Sequence, residues 1–262
     1  MNILDKIIEH KKLEVLQDRM NLPIQELQNM PAFSRPVLSL KKSLLDANST
    51  GIIAEFKRQS PSKGVINANA DVVNVTGAYA SNGAAALSVL TDKKFFGGSN
   101  EDLQRARVNN IPILRKDFII DEYQIVEARA IGADVILLIA ACLSPGDVKR
   151  LAAFAKSLGL EVLLEIHNEE ELKHICEECD VVGVNNRDLK TFTVDVNRSI
   201  ELSAKIPAGK VKISESGITD TNTIKELRGA GFKGFLIGEN FMKQADPAIA
   251  FASFVKHLKT GT

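Results

Sequence analysis

The chain has 262 residues, of which 45% are apolar and 25% are charged, a composition typical of a globular protein rather than a disordered or fibrous one. It contains 33 basic and 33 acidic residues, so its net charge gives no reason to expect nucleic acid or an anionic membrane surface as a partner. The N-terminus lacks the apolar centre of a secretory signal, and no apolar run approaches the roughly 20 residues that span a bilayer. These features predict a cytoplasmic protein.

The first 50 residues predict an extra amphipathic helix over residues 3–20, where apolar residues recur at roughly helical spacing. These apolar residues are Ile3, Leu4, Ile7, Ile8, Leu13 and Leu16. Pro23, Pro31 and Pro36 interrupt the rest of this segment. The helix is expected either to pack against the main fold or to contact a substrate, and the sequence leaves both open. We interpret residues 1–49 as an N-terminal helical extension and not as a second domain.

From about residue 50 onward, short β-rich runs alternate with amphipathic segments, the pattern of parallel βα units. The runs are GIIAEFK, AAALSVL, IPILRK, DVILLIA, LEVLLEI, DVVGVN, VKISES and GFLIG. After the fourth run, Ser144 is placed to cap a helix, Pro145 takes its first position, and Gly159 is placed to end it.

Eight such runs favour a closed (β/α)8 TIM barrel of the α/β class, a fold that uses about 250 residues. An open, doubly wound sheet is the alternative, although it usually has a Gly-rich fingerprint after its first strand that this chain lacks. The predicted organisation is therefore a single barrel domain over residues 1–262, with the barrel proper over residues 50–262.

The three cysteines, Cys142, Cys176 and Cys179, cannot form an even disulfide framework, and a reducing compartment fits them. The segment HICEEC has the spacing of a redox pair or of half a metal site, with His174 just before it. A zinc site would need more ligands, and the chain has no second pair of cysteines. We interpret the spacing as the accidental end of a surface helix and expect no metal site.

Charged residues at strand ends carry functional weight, because the active site of a parallel barrel lies where strands end and βα loops begin. Side chains alternate along a strand, so Ile53, Glu55 and Lys57 are predicted to face the barrel interior. An unpaired buried charge costs several kcal/mol, so these groups need partners. A structural ion pair explains one such residue, whereas several on different strands favour a catalytic site. The other candidates are Lys116, Asp117, Glu165, Asn185, Arg187, Glu215 and Ser216.

The loops after the seventh and eighth runs, SESGI and IGEN, stand where barrels often bind phosphate. Gly217 and Gly238 would let the backbone approach an anion closely, although tight turns are the alternative explanation. Basic residues also cluster at strand ends, which predicts a local positive field and a substrate with more than one negative group. They are Lys57, Arg58, Lys63, Lys93, Lys94, Arg115, Lys116, Arg187 and Lys190.

The motifs EFKRQSPSKG, LTDKKFFGGS, LRKDFIID, LLEIHN, VGVNNRDLKTF, ISESGI and LIGENFM make the chain resemble the indole-3-glycerol-phosphate synthase family. They occur in the family's order from about residue 50 to the end. The resemblance implies a cofactor-free, metal-free lyase of tryptophan biosynthesis that acts as a monomer on a small anionic substrate, 1-(2-carboxyphenylamino)-1-deoxyribulose 5-phosphate. The ring carbon attacks the ribulose carbonyl, the ring carboxylate leaves as CO2, and loss of water gives the indole.

The resemblance also implies roles for the charged residues. Lys116 matches the general acid that protonates the carbonyl oxygen, and Glu165 matches the residue assigned to acid–base work in the dehydration. Lys57 matches a lysine that binds the substrate carboxylate and whose own share in proton transfer is open. Glu55 matches the carboxylate that holds the reacting hydroxyl and the nearby lysines in place.

Uncharged and peripheral positions match as well. Asn185 and Glu215 match groups that orient the substrate, and Arg187 and Ser216 match contacts around the centre. Phe96 and Phe118 fit residues that lie against the anthranilate ring, with ordinary packing as the alternative. The phosphate site matches Lys57, Ser60, Gly217, Gly238 and Glu239.

Two positions depart from the family motif, because Asn186 and Glu239 stand where some members have serine. A carboxylate facing phosphate would repel it, so Glu239 is expected to offer only its backbone N–H and to turn its side chain away.

Two other functions are compatible with a phosphosugar barrel. The phosphoribosylanthranilate isomerase that precedes this step would share the phosphate loops without needing two lysines and two strand-end glutamates. A non-catalytic phosphosugar-binding barrel would be expected to have lost Lys116, Glu165 or Glu55, and all three are present.

Overall fold

Eight parallel strands close into a barrel in the computed structural model, which describes residues 2–188 and 191–260. Each strand pairs with its neighbours along the chain, and the last strand pairs with the first through Ile53 and Leu236. The strands are β1 (Ile52–Phe56), β2 (Ala86–Leu90), β3 (Ile113–Lys116), β4 (Val135–Ile139), β5 (Glu161–Ile166), β6 (Val181–Asn185), β7 (Val211–Glu215) and β8 (Gly234–Ile237). Closure confirms the predicted TIM barrel over the open sheet.

Side chains of the barrel alternate between two apolar layers, as expected for strands buried on both faces. Ile53 packs inside the barrel with Leu114 and Leu137, whereas Ile52 and Phe56 pack outward against the helices. This confirms the predicted orientation of β1. A charged side chain two residues after an inward apolar residue, such as Glu55 after Ile53, therefore also faces inward.

The extension begins with α1 (Ile3–Asn21), α2 (Ile24–Gln28), a 3-10 turn (Pro31–Ser34) and α3 (Leu40–Leu45). The helices around the barrel are α4 (Val72–Ser81), α5 (Lys93–Phe96), α6 (Asn100–Ala106), α7 (Glu122–Ile131), α8 (Pro145–Ser157), α9 (Asn197–Ser203), α10 (Thr221–Gly229), α11 (Glu239–Met242) and α12 (Pro247–Thr260). The described residues contain no helix that is both long and apolar enough to cross a membrane.

Local sequence explains where α8 begins and ends. The Ser144 side chain accepts a hydrogen bond from the backbone N–H of Asp147, and Pro145 occupies the first turn, where its missing N–H needs no partner. Gly159 has φ +77°, a left-handed conformation that ends the helix. The predicted boundaries of this helix are therefore confirmed.

The unit after β5 differs from the sequence prediction, because a 3-10 helix (Glu169–His174) takes the place of an α-helix there. Both ring nitrogens of His174 lie 3.0 Å from backbone carbonyls, those of Glu171 and Leu143, which fixes this short connection against the barrel. The Cys176 and Cys179 sulfur atoms then lie 3.4 Å apart in the following turn, and Cys179 is buried. The pair is thus not the end of a surface helix.

The sequence prediction for α1 was correct in extent and partly wrong in orientation. Its buried residues are Ile7, Lys11 and Val15, one helical turn apart, whereas Leu13 and Leu16 are 66% and 59% exposed. The prediction assigned the buried face to apolar residues only. The face of α1 that packs on the barrel contains Lys11, whose charge is compensated there by Asp92 and Asp117.

The amino-terminal end of the barrel binds the second half of the extension through Asp134, which precedes β4 and is fully buried. Its carboxylate accepts hydrogen bonds from the side chains of Arg35 and Arg107, each at 2.5 Å. It also accepts from the backbone N–H groups of Leu38 and Ile113, each at 2.8 Å. One carboxylate thus joins the extension, the loop before β3 and the start of β4.

Replacing Asp134 tests this connection. Asp134→Ala leaves two arginines without their buried partner and is expected to lower the free energy of unfolding by about 3–5 kcal/mol, measured by urea denaturation. Glu9→Ala, which removes an exposed ion pair with Lys12, is the matched control and is expected to cost less than about 1 kcal/mol. Equal stability of the two variants would contradict the proposed role of Asp134.

Candidate active site

A cavity of about 410 Å³ opens at the carboxyl ends of the barrel strands. Its lining includes all of the residues that the sequence analysis assigned to the site, which come from seven of the eight βα units. They are Glu55, Lys57, Ser60, Phe96, Lys116, Phe118, Glu165, Asn185, Arg187, Glu215, Ser216, Gly217, Gly238 and Glu239.

Lys116, at the end of β3, lies at the centre of the charged groups. Its Nζ is 2.5 Å from Glu215 Oε2 and 3.3 Å from Glu165 Oε2, and its side chain is 14% exposed. Burial alone would lower the pKa of Lys116, but the carboxylates of Glu215 and Glu165 outweigh burial and raise it well above its usual range. Lys116 is therefore an ammonium ion at neutral pH.

The two carboxylates around Lys116 differ in ionisation. Burial raises the pKa of Glu215 to about 7, and the Lys116 ammonium only partly offsets this effect. Burial acts in the same direction on Glu165, but there Lys116 and His167 prevail and hold the pKa below its usual range. Glu165 is thus ionised at neutral pH, whereas Glu215 is close to its titration midpoint.

Two glycines make room for buried carboxylates. A Cβ atom at Gly183 would lie 2.5 Å from Glu215 Oε1, and one at Gly238 would lie 2.5 Å from Glu55 Oε1. Glu55 Oε1 also accepts a hydrogen bond from Lys57 Nζ at 2.6 Å. The strand ends therefore have space for acidic side chains only because the neighbouring strand has no side chain at these points.

His167 is a site neighbour that the sequence analysis missed. Its Nε2 lies 3.2 Å from Glu165 Oε1 and its Nδ1 lies 3.3 Å from Glu171 Oε2, in a buried position. Burial lowers the pKa of His167, but the two carboxylates outweigh burial and raise it to about 9. The period of two in LLEIH, which places residues 165 and 167 on one face, was the available signal.

The loop after β7 has an unusual backbone. Ser216 and Gly217 are both left-handed, with φ +69° and +76°, a conformation that costs a non-glycine residue about 1–2 kcal/mol. Asn186 donates hydrogen bonds from its amide nitrogen to the Ser216 carbonyl at 3.0 Å and to Ser214 Oγ at 2.9 Å. Asn186, which departs from the family motif, thus supports the turn that exposes the backbone of this loop.

Glu239 lines the cavity, and its carboxylate is paired with two basic side chains. Its carboxylate lies 3.2 Å from Arg187 Nη2 and 3.7 Å from Lys63 Nζ, so two cations compensate its charge. Its side chain still contributes to the cavity wall. The expectation that this side chain turns away is therefore only partly met.

The basic residues at strand ends divide into two groups. Lys57, Lys63, Lys116 and Arg187 line the cavity, together with Lys243, which the sequence analysis missed. The same lining contains five carboxylates, so the predicted local positive field is not confirmed; they are those of Glu55, Asp117, Glu165, Glu215 and Glu239.

The remaining basic residues do not line the cavity. Arg58 binds Asp102 and Arg115 binds Glu127, with N–O distances of 2.6 and 2.5 Å. Arg115 precedes Lys116 on β3 and therefore faces the helices, which the alternation of the strand could have predicted. Lys93 and Lys94 also lie outside the lining, and Lys190 lies outside the described residues.

One wall of the cavity is apolar. The rings of Phe96 and Phe118 lie 6.0 Å apart at 40°, and Ile3, Leu4 and Ile7 of α1 line the same cavity. The sequence left open whether the first helix packs against the main fold or reaches the substrate. The structure shows that α1 packs on the barrel and also contributes to the cavity surface.

A family model described as indole-3-glycerol phosphate synthase matches residues 4–254 of the chain. The chain belongs to this family. Membership confirms the predicted family and its activity, that of a decarboxylating lyase of tryptophan biosynthesis.

Relatives named indole-3-glycerol phosphate synthase match nearly the whole chain. The relative from Bacteroides thetaiotaomicron is 49% identical over 98% of this chain and 99% of its own length. The relative from Salinibacter ruber is 45% identical over 96% and 94%, respectively. Among solved structures, 3-hexulose-6-phosphate synthase from Salmonella typhimurium matches with a TM-score of 0.62 and 12% identity, over 81% of this chain and 100% of its own, and supports the barrel fold alone.

The close contact at Gly238 generates a prediction. Gly238→Ala places a methyl group against Glu55 and is expected to lower kcat/KM by about tenfold to a hundredfold, because misplaced catalytic groups lose alignment. Gly229→Ala, at the end of α10 with open space around it, is the control and is expected to retain normal kinetics. Wild-type kinetics for Gly238→Ala would mean that Glu55 tolerates displacement.

His167 makes stability depend on pH. Because folding raises its pKa from 6.5 to about 9, its contribution is complete below pH 6.5 and is lost as the pH rises through 9. His167→Gln is therefore expected to destabilise the protein by about 3 kcal/mol more at pH 6 than at pH 10, measured by urea unfolding. His257→Gln, at an exposed position of α12, is the control, and equal pH profiles for the two variants would refute the assignment.

Proposed function

We propose that the chain closes the indole ring of 1-(2-carboxyphenylamino)-1-deoxyribulose 5-phosphate, with Lys116 as the general acid. Family membership supports the reaction. The observation that supports the assignment of Lys116 is its ammonium group, which lines the cavity between Glu165 and Glu215. A proton donor there is placed for an oxygen atom that develops negative charge.

The reaction begins when the aromatic ring carbon attacks the ribulose carbonyl carbon. A C–C bond forms, the carbonyl electron pair moves to oxygen, and Lys116 donates a proton to that oxygen. The bond to the ring carboxylate then breaks, and its electron pair restores the aromatic ring as CO2 leaves. Glu165, which is ionised beside Lys116, serves in the proton transfers that accompany loss of the hydroxyl group as water.

The anionic groups of the substrate have separate partners in this proposal. Lys57, oriented by Glu55, binds the carboxylate, while Ser60 and the loops that contain Gly217 and Gly238 bind the phosphate. Ser216 and Arg187 add contacts at the edge of this site.

The remaining groups orient the substrate. Asn185 Oδ1 accepts a hydrogen bond from the backbone N–H of Arg187 at 3.0 Å, and the Asn185 side chain also hydrogen-bonds Glu165 and helps to lower the pKa of that carboxyl group. Glu215 orients the reacting part of the substrate through Lys116, and Phe96 and Phe118 lie against the anthranilate ring. We also propose that the enzyme acts in the cytoplasm as a monomer, without a metal, an organic cofactor or nucleic acid.

The reaction has a direct test, because indole-3-glycerol phosphate is fluorescent. Purified protein mixed with the substrate is expected to produce emission without added metal or nucleotide. Absence of emission from a folded protein, with the fold checked by circular dichroism, would refute the proposed function.

The role of Lys116 is tested with Lys116→Met. This variant is expected to lose about 10²- to 10⁴-fold in kcat while its fold and much of its substrate binding remain, because a general acid acts in the transition state. Lys256→Met, at an exposed position of α12, is the matched control. Near-normal kcat for Lys116→Met would assign the proton transfer to another group, with Lys57 the first to test.

A further inference from the structure

Lys11 is a buried charge outside the set of residues assigned to chemistry. It lies on α1 and is 1% exposed, and its Nζ contacts three carboxylates. The distances are 2.8 Å to Glu14 Oε1, 3.0 Å to Asp92 Oδ2 and 2.9 Å to Asp117 Oδ1. A lysine is almost never fully buried unless it is paired, so this ammonium and its partners depend on one another.

The Asp92 contact leads to one aromatic ring of the cavity. Asp92 precedes α5, and its Oδ1 accepts hydrogen bonds from the backbone N–H groups of Phe95 at 2.8 Å and Phe96 at 3.2 Å. Its other oxygen faces Lys11. The position of the short helix that presents Phe96 is therefore tied to the lysine of α1.

The Asp117 contact leads to the second ring. Asp117 Oδ1 accepts a hydrogen bond from the backbone N–H of Phe118 at 2.8 Å, and Oδ2 accepts one from Thr91 Oγ1 at 2.5 Å. Asp117 also follows Lys116 directly, so this bond fixes the loop at the point where β3 ends. Lys11 is thus bound to the residue that orients Phe118.

The helix itself supplies the third part of the wall. Ile7 lies one turn before Lys11 on the same face of α1, and it is buried and lines the cavity. A helix whose position is fixed at residue 11 therefore also has a fixed position for Ile7. Three separate segments of the apolar wall meet at one ammonium group.

We propose that Lys11 is a positioning residue that assembles the apolar wall of Ile7, Phe96 and Phe118 against which the aromatic ring of the substrate lies. The identity of that ring rests on the proposed function. Lys11 touches no reacting atom, and it acts through Asp92 and Asp117. Its removal therefore weakens recognition of the ring while the two phosphate loops that follow β7 and β8 keep their geometry.

The test measures recognition of the aromatic ring and recognition of the phosphate group of the substrate separately, in the full-length enzyme. Lys11→Met keeps the length of the side chain and removes its charge, and Lys11→Arg restores the charge. Lys12→Met, on the exposed side of the same helix, is the matched control. For each variant, KM and kcat are measured for the substrate, with inhibition constants for anthranilate as a probe of the ring and for inorganic phosphate as a probe of the tail.

Lys11→Met is expected to raise KM and the inhibition constant for anthranilate at least about tenfold, while the inhibition constant for phosphate stays within about twofold. Lys11→Arg is expected to recover most of the loss, and Lys12→Met to match the wild type. Parallel changes in the anthranilate and phosphate constants, or no change in either, would overturn the proposal, because a purely structural ion pair has no preference for one end of the substrate.

A second variant decides the matter if Lys11→Met does not fold. Asp92→Asn keeps the oxygen that caps α5 and removes only the charge that faces Lys11. It is expected to weaken the binding of anthranilate more than that of phosphate, as Lys11→Met does. An unchanged ratio of the two inhibition constants would count against the proposal. Lack of activity in the wild-type enzyme would instead refute the proposed function, so the two failures are distinguishable.

Discussion

The contact between Lys116 and its two carboxylates is the interaction on which the rest of the cavity depends. Carboxyl groups that are buried without a cation take up protons, and burial raises the pKa of Glu215 to about 7 despite its contact with Lys116. Without that ammonium, Glu215 would not keep a charge at the end of an apolar barrel, and Glu165 would have only His167 as a cationic partner. The lysine in turn keeps its proton because the carboxylates are there. The chemistry of the site is therefore a property of the cluster and not of any single residue.

Neighbouring residues on one strand of the barrel face opposite sides and therefore have different roles. On β3, Lys116 faces the cavity, whereas Arg115 points outward and binds Glu127 among the surrounding helices. Asp117 then ends the strand and binds both Lys11 and the backbone of Phe118. Three successive charged residues thus serve the reaction, the packing of the helices and the attachment of the extension, because the direction of each follows from its place in the strand.

Much of this arrangement was predictable, because period-two alternation determines which strand residues face inward. It gave the direction of Glu55 and Lys57, whereas the eight strands were identified as β-rich runs between amphipathic segments, and the residues that surround the cavity were identified from strand ends and the family resemblance. Lys11 was not predictable, since a search for apolar spacing treats a lysine as exposed, and only the tertiary contact with Asp92 and Asp117 reverses that choice. The partners of Glu239 also escaped prediction, because Lys63 and Arg187 come from loops far apart in the chain.

The extension is attached at both ends of the barrel, through Lys11 at the carboxyl ends of the strands and through Arg35 at the amino ends. The barrel carboxylates that bind these two cations, Asp92, Asp117 and Asp134, lie in the first half of the barrel, and Glu161 at the start of β5 also accepts hydrogen bonds from Ser39 Oγ and the backbone N–H of Lys41. A hybrid enzyme that takes its first 50 residues from one relative and its barrel from another would therefore separate charges that are buried together. For recombination between relatives, the natural unit is the extension joined to the segment that runs from β2 to the start of β5, with a crossover after residue 161 rather than before residue 50.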